Sequence, residues 1–276
     1  MKTLAIRGNW SFVSSAMVQS SPMRLSIKSR LVQVQNQLVI SVSTYRSAGR
    51  RADWDLIRLG TDYGGWSIPS AFLDAAPLQK VAVVSVGLGF DVSFDHSLLE
   101  RGVLVIGLDP LPASALYAIE KLERHPNFFL EPSGLGTATG QSLFFAPKIK
   151  SYDSWSLSNI QQTDPAEAKY FNTISLTDLF IKYKQELADA RIGLKMDIEG
   201  GELQLIKDVL SNAHRFDFVA IELDFMSLIP FLSVLRRLKA LIACRRIMTA
   251  FEEKGFVLAS TENFNFLWVK SSFGHC

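Results

Sequence analysis

The stretch from Val81 to Pro110 constrains the fold more than any other part of the chain. It opens with a continuous apolar run at 81–86, which is typical of a strand in a parallel sheet that is covered on both faces. Gly87 and Gly89 then permit a tight turn and a close approach of the backbone to a ligand. A helix and a second strand follow, and the second strand ends at Asp109. This order predicts an α/β protein with a ligand at the carboxyl ends of its strands.

The turn after the first strand leaves two cofactors open. A dinucleotide fingerprint has a third glycine where Val92 stands, and Asp91 would repel a pyrophosphate. The same charge suits the ammonium and sulfonium of S-adenosylmethionine (SAM). Asp109 can accept hydrogen bonds from ribose hydroxyls in either case. We therefore expect SAM, with a nicotinamide dinucleotide as the alternative and a glycine turn that binds nothing as the third interpretation.

The first helix is predicted over 93–101. Ser93 is expected to cap its N-terminus, and Asp95 lies in the first turn, where the helix dipole favours an acid.

A second group of charged residues lies in GLKMDIEGGE, residues 193–202. A short strand at 193–196 is expected to place Lys195 and Asp197 on one side, with Glu199 just beyond the strand. Such loops carry ligands in open α/β sheets. The simpler interpretation is a solvated acidic turn with an ion pair to Lys195.

A third strand is predicted over 216–223, with Glu222 near its end and Asp224 just after it. If the three acid-bearing strands are parallel neighbours, Asp109, Asp197 and Glu222 gather along one edge of the sheet. Clustered acids shift the pKa values of one another, which is typical of functional sites. The alternative is that each acid is solvated separately.

In this order, the motifs resemble the FkbM-like family of SAM-dependent methyltransferases. The segments that carry the resemblance are SVGLGFDVSFD, GLDP, LKMDIEGGE and IEL, with flanking pieces TDYGGWSIP, EPSGLGTATGQSLFFAP and ISLTDLF. The resemblance covers about residues 54–270. It implies a Rossmann-like, seven-stranded class I methyltransferase fold, which is α/β with a mostly parallel sheet and helices on both faces. It also implies O-methylation of a hydroxyl on a sugar or another natural product.

The resemblance also suggests roles for individual residues. Asp109 would hold the ribose, the loop at 133–134 would lie by the adenine, and the 64–66 segment would cover the cofactor. The residues expected to bind the cofactor are Gly87, Gly89, Asp91, Ser93, Asp109, Ser133, Gly134, Gly65, Trp66 and Asp197. A catalytic base is expected among the acids, with a lysine as electrostatic partner, and the candidates are Asp197, Glu199, Glu222 and Lys195.

One departure from the family concerns the acceptor. Histidines tend to follow the acid at the position of Glu222 in the branch that this chain resembles, but here residues 223–225 are Leu, Asp and Phe. If those histidines bind the acceptor or act as base, this protein does so differently or has another substrate.

No metal is predicted. The four histidines and two cysteines match no zinc spacing. Clustered carboxylates could hold Mg²⁺, but the sequence offers no stronger support for it.

Charge divides the chain into an extension at 1–52 and a methyltransferase domain at 53–276. Residues 1–51 contain eight Lys or Arg, no acid and ten Ser. This composition resembles an organellar transit peptide, but alternation at 31–40 favours a structured, strand-like extension. With few cysteines and no apolar run of roughly 20 residues, we expect a cytoplasmic protein, with organelle targeting as the alternative.

The remaining elements follow the same α/β order. They are a helix near 54–59, a helix at 112–123, a strand at 127–130, a hairpin that includes 141–146, an irregular acceptor-binding insertion at 148–169, a helix at 202–210, one or two helices at 230–254, and an antiparallel edge pair at 256–260 and 264–270. Tyr152 and Trp155 could stack on a sugar, although packing is the favoured role.

The expected partner is a small-molecule or glycan acceptor, not a nucleic acid. An NAD(P)-dependent oxidoreductase and a non-catalytic SAM-binding scaffold are the alternatives.

Overall fold

A computed structural model of the chain describes residues 37, 38, 40, 41, 44, 54–76, 78–149, 154–159, 161–226 and 234–273. The strands are β1 (Leu56–Leu59), β2 (Trp66–Pro69), β3 (Val81–Val86), β4 (Leu104–Leu108), β5 (Phe128–Glu131), β6 (Gly134–Leu135), β7 (Gly140–Phe144), β8 (Lys169–Ile174), β9 (Arg191–Met196), β10 (Phe218–Glu222), β11 (Phe256–Glu262) and β12 (Asn265–Lys270). The α-helices are α1 (Ser70–Asp74), α2 (Ser93–Leu99), α3 (Pro112–Leu122), α4 (Leu176–Lys182), α5 (Glu202–Ser211) and α6 (Val234–Glu253).

The centre of the fold is a seven-stranded sheet with the order β11-β12-β10-β9-β3-β4-β5. The five strands from β10 to β5 run parallel, whereas β12 is antiparallel to β10 and to β11. The prediction of a mostly parallel, seven-stranded sheet with an antiparallel C-terminal pair is confirmed. Two smaller sheets, β1-β2 and β6-β8-β7, accompany it.

The apolar run of β3 is explained by burial on both faces of this sheet. Its side chains alternate between two core clusters, with Val84 and Val86 on one face and Val81 and Val83 on the other. Helices α4, α5 and α6 contribute to the first cluster, and α2 and α3 to the second. The expected helices on both faces are therefore confirmed.

The helix predicted near 54–59 is wrong. Residues Leu56–Leu59 form strand β1, which pairs antiparallel with β2. Six residues are too few for a stable helix by themselves. The hydrogen bonds to β2, which follows the turn at residues 62–64, stabilise an extended conformation instead.

The predicted N-cap at Ser93 is also wrong. Helix α2 begins at Ser93, and the residue before it is Val92. The Ser93 hydroxyl accepts a hydrogen bond from Thr61 N (2.9 Å), while Asp91 Oδ1 accepts one from Ser93 N (3.0 Å). Asp91 therefore binds the first amide of the helix from two residues before it, while the Ser93 hydroxyl is occupied by the turn at Thr61.

Other differences concern pairings over long sequence distances. Strand β7 pairs with β8, which follows the segment at 148–169 that was predicted to be irregular. Strand β8 begins at Lys169, the last residue of that segment. The described residues of the expected strand at 31–40 are helical, and Ile40 is buried in the core. The rest of that expectation, and Tyr152, lie outside the described residues.

Helix α6 confirms the helix expected within 230–254. Among the helices that the structure describes, none has both the length and the hydropathy needed to cross a membrane.

Candidate active site

A cavity of about 400 Å³ opens at the carboxyl ends of β3, β4, β9 and β10. The loops that follow these strands form its floor, and loops around residues 62–64, 154–157 and 262–265 form its walls. A cavity of this size is typical of sites that bind small molecules and cofactors. Its place at the strand ends is the one expected for open α/β sheets.

Asp109 holds the glycine loop in place. Its Oδ2 accepts hydrogen bonds from Leu88 N (3.1 Å) and Gly89 N (3.0 Å), and its Oδ1 accepts one from Leu111 N (2.9 Å). The side chain is buried at the end of β4, beneath the cavity. The glycine loop is thus fixed to the neighbouring strand through a carboxylate, and the ribose contact stays a prediction.

Asp91 links the glycine loop to the turn after β1. Its Oδ2 accepts a hydrogen bond from Thr61 Oγ1 (2.5 Å), and Thr61 Oγ1 in turn accepts one from Gly64 N (3.0 Å). Partial burial acts to raise the pKa of Asp91, but hydrogen bonds from Ser93 and Thr61 outweigh it and lower the pKa. The carboxylate is therefore ionised at neutral pH, and it lies on the cavity wall.

Lys195 lies beneath the glycine loop. Its Nζ donates to the carbonyl oxygen of Gly87 at 2.5 Å and lies 3.8 Å from Asp197 Oδ2. It also lies 5.6 Å from the centre of the Trp66 ring. The prediction that Lys195 and Asp197 share one side of the strand is confirmed, and the lysine ties the turn after β3 to strand β9.

Three carboxylates meet at the ends of β9 and β10. Asp197, Glu222 and Asp224 each offer an oxygen, and these oxygens all lie within 4.8 Å of one another. The predicted gathering of Asp197 and Glu222 is confirmed because β9 and β10 are parallel neighbours. Asp109 lines the same cavity, but β3 separates its strand from β9.

Burial and mutual repulsion perturb these acids. Burial raises the pKa of Glu222 to about 9, with further contributions from the charges of Asp197 and Asp224. Burial also raises the pKa of Asp224 to about 9, and the largest contribution from a neighbouring charge is that of Glu202. Perturbed carboxyls in a cavity are typical of functional sites.

Glu202 is a member of this cluster that the sequence interpretation missed. It is fully buried at the start of α5, and burial raises its pKa to about 8. Its Oε1 accepts a hydrogen bond from Gly200 N (2.8 Å), whereas Oε2 has no hydrogen-bond partner among the described residues. The signal was present, because Glu202 is the last acid of the GLKMDIEGGE motif, but the sequence interpretation did not include it among the site residues.

The four residues proposed for catalysis all line the cavity, namely Lys195, Asp197, Glu199 and Glu222. Of the residues proposed for cofactor binding, those on the cavity wall are Gly87, Gly89, Asp91, Asp109, Gly134 and Asp197. The others, which do not line it, are Ser93, Ser133, Gly65 and Trp66. Ser93 and Gly65 instead hydrogen-bond to Thr61, and so they stabilise the turn that forms one wall.

The C-terminal hairpin supplies wall residues that the sequence interpretation also missed. Glu262, Asn263 and Asn265 line the cavity, and Glu262 forms an ion pair with Arg58 of β1. Asn265 reaches the site because it pairs with Glu222 in the β10–β12 register. No local motif marks these residues, since only the antiparallel insertion of β12 brings them there.

Comparison with known proteins decides between the cofactors that the turn left open. Residues 86–258 match the model of the methyltransferase FkbM domain. The chain belongs to this family. It is therefore a SAM-dependent methyltransferase, and the resemblance seen in the sequence is confirmed. The dinucleotide interpretation is set aside.

Solved structures with similar folds are methyltransferases of low sequence identity. Fibrillarin from Aeropyrum pernix, with natively bound SAM, is 10% identical and covers 79% of this chain and 83% of its own, with a TM-score of 0.37. Magnesium protoporphyrin IX methyltransferase from Synechocystis PCC 6803, with bound SAM, is 11% identical and covers 90% and 85%, with a TM-score of 0.34. With TM-scores this low, the similarity adds no information about the fold beyond the strand order described above. No curated protein matches the chain.

Proposed function

We propose that this methyltransferase acts on a hydroxyl group of a sugar or another small molecule. The observation that supports this most is the carboxylate cluster of Asp197, Glu222 and Asp224, which shares one cavity with the glycine loop. A hydroxyl acceptor must lose a proton as its oxygen is methylated, and carboxylates at that place are suited to receive it.

The cavity residues fit SAM in shape and in charge. At Gly87 a Cβ atom would collide with the carbonyl oxygen of Asp197, so the loop offers bare backbone to a ligand. The ionised Asp91 suits a ligand with cationic groups. Gly134, Leu135 and Phe144 form an apolar part of the wall that suits an adenine. We assign the methionine end to the glycine loop and the ribose to the end of β4 at Asp109.

SAM supplies a methyl group on a positively charged sulfur. The cavity residues would hold the acceptor oxygen facing the methyl group of bound SAM, and such positioning is worth roughly 7–11 kcal/mol of barrier. A new O–C bond would replace the C–S bond, and the electron pair of the C–S bond would remain with the sulfur. The hydroxyl proton passes to Asp197 or Glu199, which adds about 10²–10⁴-fold in rate. Glu222, with a pKa of about 9, already holds a proton at neutral pH and is not the base. Lys195 orients Asp197.

The acceptor enters past aromatic side chains. Tyr63, Phe90 and Trp155 line the cavity, and Tyr63 and Phe90 are exposed. Trp155 also packs edge-on against Phe171, with ring centres 5.4 Å apart, so it both packs and forms wall. Flat aromatic faces at a cavity mouth suit the apolar faces of sugar rings. We therefore propose a small-molecule or glycan acceptor, not a nucleic acid.

We also propose a cytoplasmic location for the protein.

Transfer of labelled methyl from SAM to a panel of sugars and polyols tests this function. Mass spectrometry locates the added methyl group, and we expect it on oxygen. Glu199→Gln should lower kcat by at least about tenfold while binding of S-adenosylhomocysteine (SAH) changes little, because a base acts on the acceptor and not on the cofactor. Glu253→Gln, which removes an exposed acid at the end of α6, is the matched control. Methylation of nitrogen or carbon alone would contradict the proposal.

A further inference from the structure

The carboxylate cluster concentrates negative charge in a small volume. Asp197, Glu222 and Asp224 meet within 4.8 Å, and Glu202 lies buried behind them. The ammonium of Lys195 lies 3.8 Å from Asp197 but also donates to the backbone of the glycine loop. When all four acids are ionised, this one lysine does not balance their charge, and carboxylates so close together repel one another strongly.

The spacing of the oxygens fits a divalent cation. Oxygen ligands bind Mg²⁺ and Ca²⁺ at roughly 2.0–2.6 Å, so two ligands on opposite sides of the ion are about 4–5 Å apart. The oxygens of Asp197, Glu222 and Asp224 satisfy this limit pairwise. A cation could therefore contact all three carboxylates without rearrangement of the strands that carry them.

Two buried oxygens next to the three acids point to the same kind of ligand. Glu202 is fully buried, its charge acts on Asp224, Asp197 and Glu222, and its Oε2 has no hydrogen-bond partner among the described residues. The Asn265 side chain, directly opposite Glu222 across the β10–β12 pair, likewise has a buried Oδ1 without a hydrogen-bond donor there. Buried oxygens normally have a partner, and a cation or its bound water would provide one for both.

We propose that Asp197, Glu222 and Asp224 bind a divalent cation of the Mg²⁺ and Mn²⁺ type at the acceptor side of the cavity, with Glu202 and Asn265 supporting it. Oxygen-only ligands favour hard cations over zinc. The site is built from the ends of two parallel strands, and the sequence interpretation predicted no metal there.

The cation would have a role in the reaction, and this part rests on the proposed O-methylation. A positive charge beside the acceptor hydroxyl stabilises the oxygen as it loses its proton and attacks the methyl carbon. Glu199 is not among the proposed ligands, so this acid can accept the proton.

Mn²⁺ binding to the full chain tests the site without any acceptor. The metal-stripped protein is titrated with Mn²⁺, and binding is monitored as the loss of the electron paramagnetic resonance signal of the free ion. This titration should show one saturable site. Its dissociation constant should be tighter than about 10⁻³ M, the weak end of oxygen-ligand sites. Mg²⁺ should displace the bound Mn²⁺.

Variants locate the ion. Asp224→Asn and Glu222→Gln should each weaken Mn²⁺ binding by at least about tenfold. Glu253→Gln, the exposed control, should leave it unchanged. Far-ultraviolet circular dichroism and SAH binding of the same samples show that each variant is folded.

The outcomes separate this site from the proposed function. No saturable Mn²⁺ binding, or equal binding in wild type and Asp224→Asn, overturns the metal site while O-methylation can stand. A Mn²⁺ site in a protein that methylates only nitrogen or carbon keeps the site and overturns the role of the ion in hydroxyl activation.

Discussion

Gly87 shows how much a single residue decides in this site. Its φ of 79° lies in the left-handed region, and a Cβ there would collide with the carbonyl oxygen of Asp197. Two separate features therefore require glycine at position 87, namely the backbone conformation and the close approach of the residue after β9 to the turn.

Gly87→Ala should lower the free energy of unfolding by more than about 2 kcal/mol, because strain and collision add. SAH binding should be lost with it. Gly102→Ala is the matched control, since Gly102 has a φ of 77° but no atom within 4 Å of an added Cβ. It should cost about 1–2 kcal/mol from conformation alone. Urea unfolding measures both, and equal losses would contradict the collision.

Other single residues show where the local sequence pattern was sufficient to predict a contact and where it was not. Lys195 and Asp197 lie two apart on one strand, and the period of two placed them together correctly. Ser93 failed as a cap because its hydroxyl accepts a hydrogen bond from Thr61 N, a contact that depends on the turn after β1. Glu202 was missed because burial, not sequence position, perturbs it.

Between elements, an acid and a lysine connect helix α2 to strand β9. Asp95 of α2 is buried, and its Oδ1 has no hydrogen-bond partner among the described residues. Burial raises the pKa of Asp95 above 3.8, while the charge of Lys195 opposes the rise. The folded protein thus holds a proton more tightly than the unfolded chain does.

This predicts a pH dependence. A raised pKa means that Asp95 binds more protons in the folded state, so its contribution to stability falls as pH rises above 3.8. Asp95→Asn removes that fall, and the variant should gain stability relative to wild type as the pH rises above about 4. Urea unfolding at several pH values measures the difference, with exposed Asp74→Asn as control. Curves of wild type and Asp95→Asn that stay parallel would contradict the assignment.

The elements also show what pattern cannot decide. The parallel strands were predicted because burial on both faces leaves an apolar run in the sequence, as in β3. Strand β1 was taken for a helix because four residues carry too little periodicity, and its partner β2 lies beyond a turn. The wall formed by Glu262 and Asn265 depends on β12 being inserted beside β10.

For the whole molecule, cofactor binding should stabilise the fold, because the cavity is built from the ends of four strands and the loops between them. At a concentration of about 100 times its dissociation constant, SAH should add about 2.7 kcal/mol to the free energy of unfolding. In a chain of this size the melting temperature then rises by about 5–10 °C. Differential scanning calorimetry measures this rise in melting temperature. NADH is the control, and an equal shift with NADH would contradict the cofactor assignment.

The sequence alone determined the sheet, the glycine turn and the acids at the strand ends, because apolar runs, alternation and turn residues are local patterns. It also carried the family, through motifs in a fixed order. Only the tertiary structure decided which acids meet. Asp197, Asp224 and Asn265 converge because parallel strands and the antiparallel β12 bring distant segments to one edge. The buried oxygens of Glu202 and Asn265 that have no hydrogen-bond partner among the described residues also depend on this packing, which no local pattern encodes.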